Sequence, residues 1–167
     1  FQGMNGYLAT VTSSNENAFI KNKLQADAWI GASDAFDQIN LAVSPPLYAD
    51  QAASEGKWYW VTGPEAGQQF SQNNVSPYPV AGRFTHWNTA NSLEPNNTNG
   101  NEHYAEFFTN GYWNDLQGGD DSYGHVVEFG GMTTDTPSDI MLAGIRTIVF
   151  SPGVLVAEDS GPYARTV

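Results

Sequence analysis

Five side chains that carry oxygen lie between residues 94 and 115, and their types suit a metal ion. They are Glu94, Asn96, Glu102, Asn114 and Asp115. The chain has no cysteine, and its three histidines do not show the spacing of zinc ligands. A hard cation such as Ca²⁺ takes roughly six to eight oxygen ligands. These five side chains could therefore hold calcium and leave coordination positions open for a second molecule.

Composition limits the class of protein. A chain of 167 residues is long enough for one domain, and 40% hydrophobic residues allow a packed core. The 17 glycines and nine prolines indicate a loop-rich domain rather than a helical bundle. A formal net charge of -12 makes nucleic acid an improbable partner, although an acidic surface can also serve solubility alone. No apolar run is long enough to cross a membrane.

The first part of the chain predicts two strands around a helix. Residues 7–11 have the composition of a short strand, and residues 28–32 that of a buried strand. Between them, Ser13 is followed three residues later by Glu16, which is the pattern of a helix-capping box. Ile20 and Leu24 lie four residues apart and can share the buried face of that helix.

The middle of the chain predicts an insertion and then an aromatic strand. Residues 35–54 contain Ser44-Pro45-Pro46, which breaks helices and central strands, so we expect a surface insertion. Residues 57–61 alternate as a strand does, with Trp58 and Trp60 on one face. These tryptophans fit either the core or a platform on which sugars stack.

The remaining sequence predicts a long loop and several late strands. Residues 63–101 are rich in glycine, proline and polar residues, and such a long loop in a compact domain is usually functional. Strands are expected at residues 103–108, 112–115, 125–129 and 145–150.

Short segments of the sequence occur in the order seen in one known family. They cover residues 6–13, 29–32, 58–61, 84–87, 94–97 and 112–115, with a closing segment at 126–129. The sequence resembles the C-type lectin domains, and the resemblance spans residues 6–131. It implies an α+β fold with small antiparallel sheets, one or two short helices and a long calcium-binding loop. Animal members usually carry disulfides, so this cysteine-free chain is more similar to bacterial members.

The resemblance implies a principal calcium held by Glu94, Asn96, Glu102, Asn114 and Asp115. It also implies that Glu94, Asn96, Glu102 and Asn114 contact the sugar, and that the bond between Glu94 and Pro95 is cis. In the family, Glu-Pro-Asn accompanies mannose-, glucose- or fucose-type hydroxyl arrangements. The alternative is that calcium is only a structural support and that another surface is the target.

A second calcium is the next implication of the resemblance. Its ligands would be Asp34, Glu55, Asn97 and Glu102. Two features depart from the family pattern, because Asn97 stands where aspartate is usual and His103 stands where another acid is usual.

The sequence therefore favours a calcium-dependent carbohydrate-binding module that is extracellular or on a cell surface. The alternative is a calcium-stabilised adhesion or protein-interaction module of a larger bacterial surface protein. We expect a glycan or glycoconjugate partner, no nucleic acid and no membrane insertion. We also expect no enzymatic activity, because Glu94 and Glu102 would be poor proton donors as metal ligands.

The sequence also predicts a domain boundary and an unusual last strand. Residues 1–3 resemble the remnant of an expression tag, residues 4–131 form the lectin-like domain, and residues 132–167 form an extension. Family members begin with a strand that pairs with the closing strand. We expect residues 145–150 to take that place beside residues 126–129; the alternative is that they begin a linker or another domain.

Overall fold

The computed structural model describes residues 4–90, 92–119, 124–135, 145–151 and 156–160. Side chains are described for the first three of these ranges. Residues 1–3, which the sequence suggested to be a tag remnant, lie outside the described part.

The described residues contain three short α-helices and a 3-10 helical turn at Thr98–Gly100. Helix α1 (Ser14–Lys23) begins where the capping box predicted, because the Ser13 hydroxyl accepts a hydrogen bond of 3.2 Å from the backbone N–H of Glu16. The carboxylate of Glu16 reaches back and accepts from the N–H of Thr12 at 2.6 Å. Helices α2 (Phe36–Ala42) and α3 (Gln51–Ser54) follow. None of the helices in the described ranges has the length and apolar character that a membrane crossing requires.

Ten strands lie in the part of the chain that the structure describes. They are β1 (Gly6–Leu8), β2 (Ala28–Ser33), β3 (Lys57–Trp60), β4 (Gln69–Gln72), β5 (Tyr78–Pro79), β6 (Glu102–Phe107), β7 (Trp113–Gln117), β8 (Gly124–Phe129), β9 (Ile145–Ser151) and β10 (Val156–Ser160). The main sheet has the order β10-β9-β8-β2-β3-β4-β5. Strand β1 also pairs with β8, and β6 pairs with both β2 and β7. All pairs of named strands are antiparallel except β2 with β8.

The core is built around large aromatic side chains. Trp58, Trp60, Phe70, Trp87 and Trp113 are almost completely buried. Trp60 stacks on Phe70 with ring centroids 4.3 Å apart, and Trp58 lies 4.8 Å from Trp87. Burying such rings contributes strongly to stability. Because Trp58 and Trp60 belong to the core, they are not a surface on which sugars stack.

Residues 35–54 are more regular than the sequence suggested. Helices α2 and α3 lie on either side of the proline pair, and Ile39 of α2 is fully buried. Asp50 caps α3, since its Oδ1 accepts from the N–H of Ala53 at 3.0 Å. Leu41, in contrast, is 82% exposed. The prolines break the segment into two short helices rather than preventing helix altogether.

Strand β9 lies antiparallel beside the closing strand β8. Val126 is paired with Phe150, and Phe129 with Thr147. Strand β1 is shorter than residues 7–11, and it pairs with β8 through Gly6 and Phe129. Strand β8 is therefore paired on both of its edges, which removes an exposed edge that proteins usually avoid.

Deleting residues 140–167 should leave β8 with one exposed edge. We expect aggregation or a loss of cooperative unfolding, because unpaired backbone groups and apolar side chains would become accessible. Size-exclusion chromatography and chemical denaturation followed by tryptophan fluorescence would measure this. A soluble truncated chain with the same unfolding midpoint would show that β9 is dispensable for the fold.

Candidate metal and carbohydrate site

The predicted ligands are carried by one loop and two paired strands. Glu94 and Asn96 lie in the loop that follows Trp87, Glu102 begins β6, and Asp115 lies in β7. Strands β6 and β7 are antiparallel, and Ala105 of β6 pairs with Asp115 of β7. This pairing brings the loop and both strands to one place.

Asp115 fixes the loop against β7. Its side chain is fully buried, and its Oδ1 and Oδ2 accept from the backbone N–H groups of Asn96 and Asn97, each at 2.8 Å. A carboxylate that accepts two backbone hydrogen bonds is held in one orientation. The position of the loop therefore depends on this side chain.

The side chains of the loop contact one another. The amide nitrogen of Asn96 donates to Glu94 Oε2 at 2.5 Å, and its Oδ1 accepts from the hydroxyl of Thr98. Glu94 is only 4% exposed. The bond between Glu94 and Pro95 is cis, as the motif predicted.

Glu102 closes the same loop from its other end. Its Oε2 accepts from the N–H of Thr98 at 2.8 Å, and its own N–H donates to Asn97 Oδ1 at 3.1 Å. Asn97 therefore contacts both Asp115 and Glu102. The structure thus brings Glu94, Asn96, Glu102 and Asp115 together around one loop.

Burial and mutual repulsion perturb these carboxyl groups. The pKa of Glu94 is raised to about 7, chiefly by burial and also by the charges of Asp115 and Glu102, while a hydrogen bond with Ser92 lowers it. Burial also raises the pKa of Asp115, with a contribution from Glu102, while the N–H groups of Asn96 and Asn97 lower it. Within the described residues, no lysine or arginine forms an ion pair with these acids. The set of three carboxylates and an amide fits a hard cation such as Ca²⁺.

Asn114 has a different partner. Its amide nitrogen donates to Glu106 Oε2 at 3.1 Å, across the pair that β6 and β7 form. Glu106 is almost completely buried. The structure therefore places Asn114 beside Glu106, a residue that the sequence patterns did not indicate.

A second group of potential ligands lies close to this site. Asp34, Glu55 and His103 each offer one ligand atom, and these atoms all lie within 4.8 Å of one another. His103 Nδ1 is 3.0 Å from Asp34 Oδ1 and 3.8 Å from Glu55 Oε2. The pKa of Asp34 is raised to about 8. Burial is the largest cause and the charge of Glu55 adds to it, whereas the hydrogen bond from the N–H of Gly56 lowers the pKa.

Asn97 and Glu102, the other two residues predicted for a second calcium, have different partners. Asn97 reaches Glu55 with its amide nitrogen, which donates to Oε1 at 2.6 Å. The hydrogen bond of the Glu102 carboxylate goes to Thr98. The sequence gave no ligand role to His103; its position directly after Glu102, where an acid is usual, was the available signal.

Comparison with known proteins identifies the class. The family profile described as "Lectin C-type domain" matches residues 2–123, so the chain belongs to the C-type lectin domain family and has its α+β fold. Membership of this family also supports the expectation of a binding domain rather than an enzyme.

Among curated proteins, the chain is similar to halomucin of Haloquadratum walsbyi. The identity is 38% over 136 residues, which is 80% of this chain. The matched segment is 1% of the length of halomucin, so the comparison concerns one small part of that protein.

Solved structures with some likeness are also lectin domains. The C-type lectin CEL-I from Cucumaria echinata is 22% identical, with a TM-score of 0.41 over 70% of this chain and 63% of that chain. The carbohydrate-recognition domain of mouse scavenger receptor C-type lectin is 22% identical, with a TM-score of 0.40 over 67% and 63%.

The raised pKa of Glu94 predicts how stability depends on pH when calcium is chelated. The folded protein keeps a proton on Glu94 up to a pH of about 7, whereas the unfolded chain loses it near 4.5. The contribution of Glu94 to the free energy of unfolding is therefore fully present below pH 4.5 and is lost as the pH rises to about 7. We expect a fall in Tm of roughly 5 °C or more across this window.

Differential scanning fluorimetry in a chelator would measure this fall, and Glu94→Gln provides the control. The variant has no ionisable group at this position, so its Tm should change less over the same window. Added calcium should raise the Tm of the wild type most at neutral pH. A Tm that is the same with calcium and with chelator at neutral pH would contradict the principal site.

Proposed function

We propose that this domain binds a glycan or glycoconjugate through a calcium ion held by Glu94, Asn96, Glu102, Asn114 and Asp115. The observation that supports this most directly is the grouping of Glu94, Glu102 and Asp115, three acids brought together without a lysine or arginine partner within the described residues. Buried carboxylates that raise one another's pKa are unfavourable unless a cation compensates them. Membership of the C-type lectin domain family supports the same proposal.

A calcium ion at this position would offer its open coordination positions to neighbouring hydroxyls of a sugar. The residues of the chain would supply the rest of the recognition. The carboxylates of Glu94 and Glu102 can accept hydrogen bonds from hydroxyls, and the amide of Asn96 can donate to them. The buried carboxylate of Asp115 would keep the loop in position for this contact.

Asn114 would join the site through its amide group. Its nitrogen already donates to Glu106, so its oxygen is the atom suited to a cation. Glu106 would then act as a positioning residue, because it orients the Asn114 amide by accepting from that nitrogen.

The sequence Glu94-Pro95-Asn96 makes mannose-, glucose- or fucose-type arrangements the proposed ligand class. The order of an acid and then an amide decides which side chain accepts and which can donate at each hydroxyl. A glycan array with and without a chelator would test the sugar class directly.

The proposed context is an extracellular or cell-surface position within a larger protein. The matched part of halomucin is 1% of that protein, which supports a role as one module among many. We assign the lectin-like domain to residues 4–131 and an extension to residues 132–167, whose strand β9 adds to the sheet beside β8.

Glu102→Gln should weaken binding to a mannose-type resin at least tenfold, because it removes one carboxylate from the calcium and from the sugar. Asp37→Asn is the matched control, since it removes the same charge from an exposed position at the start of α2. Surface plasmon resonance with an immobilised mannose-type glycan would measure both variants. Full binding by Glu102→Gln would place the sugar site elsewhere.

Binding should also weaken as the pH falls. A proton on Glu94 or Asp115 competes with the metal, and both groups have raised pKa values, so release should begin near neutral pH. Isothermal titration with calcium from about pH 7.5 to 4.5 would measure the change, since ordinary carboxyl groups titrate near 4. A calcium affinity that is constant over this range would exclude these carboxylates as ligands.

A further inference from the structure

The group of Asp34, Glu55 and His103 differs from an all-oxygen calcium site in its donor atoms. Each of the two carboxylates has one oxygen that is already held by hydrogen bonds. Asp34 Oδ2 accepts from the N–H of Gly56 at 2.8 Å. Glu55 Oε1 accepts from the amide of Asn74 and from the amide of Asn97, each at 2.6 Å. The other oxygen of each carboxylate faces His103, and the amide nitrogen of Gln51 also lies near both of these oxygens.

The remaining atoms are few and include an imidazole nitrogen. Asp34 Oδ1, Glu55 Oε2 and His103 Nδ1 form a set of two oxygens and one nitrogen. Calcium prefers roughly six to eight oxygens, whereas imidazole suits zinc and related transition metals. Three protein ligands with one open position is the arrangement of many zinc sites.

The distances also fit a small ion. Ligand bonds of about 2.0–2.1 Å in a tetrahedron place neighbouring ligand atoms about 3.3 Å apart. In the structure, His103 Nδ1 lies 3.0 Å from Asp34 Oδ1 and 3.8 Å from Glu55 Oε2, on either side of that value. Asp34 is fully buried, whereas His103 and Glu55 are 17% and 31% exposed, so a metal ion and a water ligand have access from solvent.

The surrounding hydrogen bonds hold these ligands in place. The N–H of Gly56 orients Asp34, and two asparagine amides orient Glu55. Such outer partners are a usual feature of metal sites, because they fix the direction of each ligand. The cluster is thus more than a collection of acids on a surface.

We propose that Asp34, Glu55 and His103 form a site for a transition-metal ion, with Zn²⁺ as the representative, rather than a second calcium site. The ion would neutralise the two carboxylates and connect the residue that follows β2, the residue that follows α3, and β6. It is a site separate from the proposed glycan-binding calcium, and it needs no sugar for its detection.

Gln51 is the residue that would compete with the metal. Its amide nitrogen lies 3.2 Å from Glu55 Oε2, 3.2 Å from His103 Nδ1 and 3.5 Å from Asp34 Oδ1. Replacing this donor with an acceptor should therefore favour a cation. We expect Gln51→Glu to raise the affinity for Zn²⁺ at least tenfold.

The test uses the full chain saturated with calcium, so that the principal site does not take up zinc. Isothermal titration with ZnCl₂ should show one equivalent bound, and His103→Gln should weaken that binding at least tenfold. His125→Gln is the matched control, because it removes an exposed histidine outside the cluster. Replacement of zinc by Co²⁺ should give the visible absorption bands of four-coordinate cobalt, which His103→Gln should lose.

Several results would overturn the proposal. They are the absence of stoichiometric zinc binding in the wild type, equal zinc binding by His103→Gln, and loss of zinc in His125→Gln but not in His103→Gln. Two equivalents of calcium bound by the wild type would restore the calcium assignment. Because zinc is measured without glycan, a failure here leaves the proposed lectin function untouched, and a failure of glycan binding leaves this site untouched.

Discussion

The candidate site depends on the buried carboxylate of Asp115. Its two oxygens accept hydrogen bonds from the backbone N–H groups of Asn96 and Asn97. One side chain therefore holds the loop that carries Glu94 and Asn96. Burying a charged group is unfavourable unless it is well hydrogen-bonded, and the loop backbone supplies those bonds. The loop and Asp115 therefore need each other: without the loop the carboxylate would be unsatisfied, and without the carboxylate the loop would not be positioned.

The aromatic core extends this constraint to the rest of the domain. Trp113, two residues before Asp115, is fully buried, and its indole N–H donates to Asn17 of α1 at 2.9 Å. Its backbone N–H donates to the carbonyl of His86 at 3.0 Å, and Asn88 donates back to the carbonyl of Trp113 at 2.9 Å. Because these contacts fix β7 against the helix and the start of the long loop, the packing of the core sets the position of the ligands.

Electrostatics explains why the two ligand groups are costly to the fold and useful for binding. Glu94, Asp34 and Asp115 all have pKa values raised chiefly by burial, with neighbouring acids adding to the effect. A fold that gathers acids in this way is less stable than one that separates them, unless cations bind. The two groups differ in the ligand atoms that they offer to a cation. The principal group offers carboxylate and amide oxygens, whereas the second group includes the imidazole of His103. That difference in donor atoms underlies the different metals we assign to them.

The sequence by itself indicated helix α1, strands β1 to β3 and β6 to β9, and the oxygen-bearing residues of the proposed principal site. It did not indicate helices α2 and α3 or strands β4, β5 and β10, which lie where an insertion, a loop or a C-terminal extension was expected. The capping pair Ser13 and Glu16, the alternation around Trp58 and the Glu94-Pro95-Asn96 motif are local patterns, and each corresponds to a feature of the structure. Only the tertiary structure decided that Asn114 contacts Glu106, that His103 lies close to Asp34 and Glu55, and that Gln51 contacts His103. The contacts of His103 join residues that are 52 and 69 positions apart in the chain, and the contact of Asn114 depends on the pairing of β6 with β7. Spacing along the sequence could not indicate them, because they depend on strand register and on how the insertion packs.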